Sequence, residues 1–113
     1  MPSQQRDISD GTLVVQTETD GDKWTVSLRG ELDLANAATA ETALQEALDA
    51  AETLVVVDMQ ELDFIDSTGI ALLVSTLGRN GDGARLRFVP SRSPAVTRVL
   101  DLTGLTERLP LAE

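Results

Sequence analysis

The sequence predicts one α/β domain, a mixed sheet of four to five strands with helices packed on it. Three observations carry that expectation. Leu54-Val55-Val56-Val57 is an unbroken apolar, mostly β-branched run closed by Asp58, and it reads as a central strand covered on both faces. Ile70, Leu73, Val74 and Leu77 fall at i, i+3, i+4 and i+7, which is one apolar stripe of a helix. Strand-like and helix-like stretches then follow each other in the order β-β-α-β-α-β-α. Strands joined through a helix pair in parallel, so the later strands should be parallel and only the first pair an antiparallel hairpin.

Each element has its own justification. Met1 to Asp10 carries little apolar material and reads as a flexible N-terminal tail, which leaves residues 11–113 as the domain. Leu13–Thr17 and Trp24–Leu28 read as strands, with Asp20-Gly21-Asp22 as the tight turn between them. Trp24, Val26 and Leu28 alternate with Thr25 and Ser27, so Trp24 reads as a packing residue rather than a stacking platform. Gly30-Glu31-Leu32-Asp33 interrupts that strand. From Asn36 onward, Ala37, Ala40, Leu44, Ala47, Leu48 and Ala51 keep helical spacing with Glu41 and Glu46 outward. The small alanines let this helix approach a sheet closely.

After the central helix, Gly78, Gly81 and Gly83 bracket a loop that also holds Asn80 and Asp82. Arg85–Val89 alternates as a strand. Ser93-Pro94 is a helix start, a hydroxyl cap followed by proline at the first helical position. Val96, Val99 and Leu100 form the buried side of that helix, and Gly104 ends it.

Composition narrows the function classes. At 113 residues the chain has room for one core, and with 3% aromatics that core must be aliphatic. There is no Cys, so disulfides and thiolate metal sites are excluded; there is no His, so the usual imidazole base and zinc ligand are missing too. Nucleophilic triads and zinc hydrolysis fall away with them. A net charge of −10 without a basic cluster argues against nucleic acid and anionic lipid as partners, and favours steering toward a basic one. No charged-then-apolar leader is visible and the longest apolar run is Ile70–Val74, so the expectation is a cytoplasmic protein without a membrane segment.

Open α/β sheets place their sites at the carboxyl ends of the strands, and the loop there holds Asp63, Asp66, Ser67, Thr68 and Gly69. One reading gathers Asp33, Asp58, Glu61, Asp63 and Asp66 into a Mg²⁺ site, as in phosphoryl-transfer enzymes or aspartate-phosphorylated receivers. Against it, the only lysine, Lys23, lies in the hairpin, and no GxxxxGK loop exists. The other reading is that Asp66 and Ser67 merely cap the following helix.

Asp63 to Ile70, Asp-Phe-Ile-Asp-Ser-Thr-Gly-Ile, resembles the signature of the STAS domain, the bacterial anti-sigma factor antagonist family. Gly30-Glu31-Leu32-Asp33 resembles that family's GELD segment. Ser93-Pro94-Ala95-Val96 through Leu102-Thr103-Gly104-Leu105 resembles its SPAV and GL region, so three blocks match in order and the resemblance as a whole spans about residues 12 to 109. The resemblance implies a STAS fold and a phosphorylation-switched antagonist with no catalysis, cofactor or metal of its own. Ser67 takes the position of the serine phosphorylated by a GHKL-type kinase, which is itself the anti-sigma factor; a serine phosphatase resets the cycle. Asp33 takes a kinase-binding position, and Asp66, Thr68, Gly69 and Ile70 flank Ser67 on the same partner-binding surface.

A hydroxyl at a helix N-cap suits such a switch, because it is exposed and a phosphate there meets free N–H groups. Gly69, without a side chain, would let a kinase loop come close. Two departures stand out: Ala71 replaces a second glycine common in the family, and Leu109-Pro110-Leu111 stands where a further amphipathic helix is usual. The alternatives are a STAS subunit of another signalling or lipid-transport assembly and, from a different class, a Mg²⁺-dependent aspartate phosphoacceptor or phosphatase.

Overall fold

The computed structural model describes residues 4–79 and 85–112. Its elements are β1 (Gln4–Asp10), β2 (Leu13–Asp20), β3 (Lys23–Leu32), α1 (Ala37–Ala50), β4 (Leu54–Asp58), β5 (Leu62–Ile65), α2 (Ser67–Arg79), β6 (Leu86–Val89) and α3 (Pro94–Leu102). The strands form one mixed sheet in the order β1-β2-β3-β4-β6, with β5 also paired to β3. β1–β2 and β2–β3 are antiparallel; β3–β4, β3–β5 and β4–β6 are parallel, as the βαβ reasoning requires.

Register separates the sheet into two faces. Leu13, Val15, Val26, Leu28, Val55, Val57, Leu86 and Phe88 share one face and are all buried. They join Ala40, Leu44, Ala47 and Leu48 of α1, Leu72 and Leu73 of α2, and Val96 and Leu100 of α3 in one core. The small side chains of α1 hold it close to the sheet. The opposite face is polar: Gln16, Ser27, Arg29, Asp58 and Arg87 are only half-buried. β4 is therefore not packed under helices on both sides, although Val56 on the polar face is itself buried at 8% exposure.

Several boundaries differ from the sequence expectation. Gln4–Asp10 is not a free tail but an edge strand, every residue of it paired with β2. Its side chains carry no apolar alternation because almost all of them are exposed; the backbone ladder and the Arg6–Glu46 ion pair to α1 hold it. With β1 and β5 added, the sheet has six strands. β3 runs on to Leu32, because Gly30 lets it shift register and exchange β4 for β5 as neighbour. Gly30 has φ 96°, and a Cβ there would stand 2.0 Å from the Thr12 carbonyl oxygen, so this kink requires glycine.

The buried face of α2 is also rotated from the expected stripe. It consists of Gly69, Leu72, Leu73 and Thr76, while Ile70 and Leu77 are partly buried and Val74 is exposed. The helix continues through Gly78 to Arg79, whose guanidinium reaches Glu41 and Gln45 of α1. The loop expected around Asn80 to Gly83 lies outside the described residues. Near the C-terminus, Leu105 and Leu109 are buried and Leu111 bridges Phe88 of β6, so this segment lies along the sheet's second edge.

Candidate functional site at the start of α2

The site forms where β3 and β5 end and two chain segments turn back over the sheet. After β3, Asn36 organises the turn. It is 2% exposed, its Oδ1 accepts from the Asp33 N–H at 3.0 Å and its amide donates to the Glu31 carbonyl at 2.9 Å. Asp33 Oδ1 in turn accepts from the Ala35 N–H at 3.0 Å, so a half-buried Asp33 shapes this loop with its own side chain. The result presents Leu34 almost bare, at 77% exposure.

Asp66 joins that loop to α2. Its Oδ1 accepts from the Thr68 and Gly69 N–H groups at 2.9 and 3.0 Å, two of the donors a helix start leaves without an internal partner. Its Oδ2 accepts from the Leu34 N–H at 3.1 Å, and its own N–H donates to the Leu32 carbonyl at 3.2 Å. Asp66, not Ser67, is therefore the cap. A carboxylate has two acceptor oxygens and serves three N–H donors here, two in the helix and one in the loop; a hydroxyl, with one oxygen and two lone pairs, has too few acceptor sites for all three.

Ser67 is the first residue of α2 and is exposed. Thr68 and Ile70 are half-buried beside it, and Gly69 is buried. Gly69 has an inward reason for being glycine: a Cβ would stand 2.6 Å from Ile65 Cγ1 and 3.0 Å from Leu32 Cγ. The missing side chain lets α2 settle onto β3 and β5, rather than opening space for an approaching partner.

The structure thus brings Asp33, Asp66, Ser67 and Thr68 onto one end of the sheet. It does not bring the acidic residues together as a metal site. Asp58 turns its carboxylate to the Gln60 backbone and side chain, and among the described residues no group of three acidic side chains could hold an ion. Two functional features escaped the sequence reading. Leu34 heads a shallow apolar groove of about 410 Å³ between α1 and α2, lined also by Ala38, Thr68, Ala71 and Leu72. Its only signal was a leucine in a segment otherwise read as a break. Asn36 stands at the helix start that the spacing predicts, yet its side chain works backward on the turn.

A family model described as "Mlab, STAS domain" matches residues 15–112. The chain belongs to the STAS domain family. An anti-sigma-F factor antagonist, RsfB, of Mycobacterium tuberculosis is 31% identical over 80 residues, 71% of this chain and 65% of that protein. The matched stretch thus spans just under two thirds of that relative's length. An anti-sigma-B factor antagonist of Staphylococcus epidermidis is 28% identical over 101 residues, 89% of this chain and 94% of its own. The crystal structure of an anti-sigma factor antagonist from Mycobacterium paratuberculosis superposes with a TM-score of 0.79 at 28% identity, covering 92% of this chain and 89% of that one. The fold expectation and the family resemblance are both met by these matches. Among the described residues, no helix of this STAS domain is long and apolar enough to cross a membrane.

Proposed function

We propose that this STAS protein is an anti-sigma factor antagonist switched by phosphorylation of Ser67. In its unmodified form it binds an anti-sigma factor that is also a GHKL-type serine kinase, and so frees the sigma factor; a serine phosphatase restores binding. It acts as ligand and phosphoacceptor, not as an enzyme, in the cytoplasm. The single observation that carries this reading is the division of labour at the start of α2. Asp66 holds the helix N–H groups and the Leu34 loop, which leaves the exposed Ser67 hydroxyl without a structural duty in that cap.

The docking surface in this reading is the Leu34 groove together with Asp33, Asp66, Thr68, Gly69 and Ile70, with Gly69 contributing close packing from beneath. A phosphate on Ser67 adds about −1.5 to −2 charges directly beside the Asp66 carboxylate. The helix start softens that charge within the domain, but a docked partner would have to bury it without compensation. Exclusion from the interface therefore follows without refolding.

The test is to incubate the purified chain with the GHKL-type kinase of its own genome and ATP, then locate the phosphate by mass spectrometry. Modification of Ser67 alone is expected; a phosphate on Thr68 or elsewhere removes the assignment. Ser67→Asp should weaken kinase binding by about 1–3 kcal/mol, the scale of one misplaced interfacial charge. Asp33→Ala should weaken it while the melting temperature stays close to wild type.

A further inference from the structure

The sheet ends on one side at β1, and among the described residues no further strand pairs with that edge. β1 meets β2 across the two-residue turn Gly11-Thr12, with Asp10 opposite Leu13 as the closing pair. The closing pair of such a hairpin exchanges both backbone bonds, and the pattern then alternates along the ladder. Gln4, Arg6, Ile8 and Asp10 therefore turn their N–H and C=O groups toward β2, while Gln5, Asp7 and Ser9 aim theirs outward. Side chains from Gln4 to Ser9 are exposed, including Ile8 at 41%. Natural edges are blunted by proline, charged side chains, bulges or a covering loop. β1 has no proline, its register with β2 runs unbroken over seven residues, and its charges Arg6, Asp7 and Asp10 are of both signs, so they can be matched across a pair as well as opposed.

We propose that β1 is a docking edge for a second copy of this chain, pairing antiparallel with its own β1 about a twofold axis at Ile8. The side chains select that register. A twofold perpendicular to the sheet keeps helix-side residues together, so Ile8 meets Ile8 of the second copy and Arg6 meets Asp10. Asp7 and Ser9 exchange the outward backbone bonds. Moving the axis to Asp7 or to Arg6 sets like charges directly opposite one another, which destabilises a ladder; moving it to Ser9 sets Ile8 against Asp10. The Ile8 pair falls at a non-hydrogen-bonded position, where opposed side chains approach most closely.

A single strand edge buries less than the roughly 800 Å² per partner of a stable dimer, so the association is weak and concentration-dependent. Sedimentation equilibrium of the full chain, from about 10 µM to about 1 mM, should show the average mass climbing from 12.1 kDa toward twice that value. In ¹⁵N spectra over the same range, the Gln5, Asp7 and Ser9 amides should shift most. Asp7→Pro removes one outward N–H and no bond to β2, so it should abolish association while leaving the melting temperature near wild type. Ile8→Lys should do the same by placing two ammonium groups at the axis. A chain that stays monomeric with unmoved β1 amides overturns the proposal. So does self-association that persists in both variants, because it would then use another surface.

Discussion

α2 and α3 begin alike in sequence and differently in structure. Each start is a short polar stretch with a serine, Asp66-Ser67-Thr68-Gly69 in one case and Ser93-Pro94 in the other. At α2 the residue before the serine caps, with two bonds into the helix and a third to the neighbouring loop. At α3 the serine occupies the cap position with extended backbone, yet its side chain makes no cap bond. Ser93 Oγ instead donates to the Asp63 carbonyl at 3.2 Å, and its N–H donates to Ser91 Oγ at 2.9 Å. Proline explains part of the difference, since it leaves α3 with one fewer N–H to satisfy. One serine is tied to its own fold; the other is exposed and takes no part in the cap.

That contrast can be broken by substitution, and Asp66→Ala should have the largest effect. It removes the α2 cap and the clip to Leu34 together, for a loss of about 2–3 kcal/mol in denaturant unfolding. A loss no greater than that of Ser67→Ala would mean that Asp66 is not the cap. Gly69→Ala comes next. The new Cβ must displace the buried Ile65 and Leu32 side chains, at a cost of about 1–3 kcal/mol. An unchanged melting temperature would show that α2 can lift without penalty.

Ser93→Ala should cost about 0.5–1 kcal/mol, since it loses one partly exposed bond to Asp63 and no cap. Chemical shifts should change around Asp63 rather than in the first turn of α3. The smallest effect belongs to Ser67→Ala, within about 0.5 kcal/mol of wild type, as expected for an exposed residue outside the cap. If Ser67→Ala and Ser93→Ala reverse that order in chemical unfolding, the assignment of free and engaged hydroxyls is wrong.

Local pattern alone determined much of this protein. The β4 run, the β2–β3 hairpin, the alanine face of α1 and the parallel pairing of the later strands all follow from side-chain periodicity and chain connectivity, and the structure contains them. The three motif blocks likewise led to the STAS family and to the segment around Ser67. Tertiary structure decided the rest, for identifiable reasons. β1 has no periodicity to read, because its side chains face water and its ladder is made by backbone atoms that every sequence possesses. The buried face of α2 was ambiguous because Ile70-Ala71-Leu72-Leu73-Val74 is apolar all round, and the true face includes Gly69 and Thr76, which no hydrophobic count selects. Which of Asp66 and Ser67 caps the helix depended on a third party, the Leu34 N–H, brought within 3.1 Å by a loop 32 residues earlier. A bond of that kind is set by how β3 and β5 end side by side, and only the folded chain places them there.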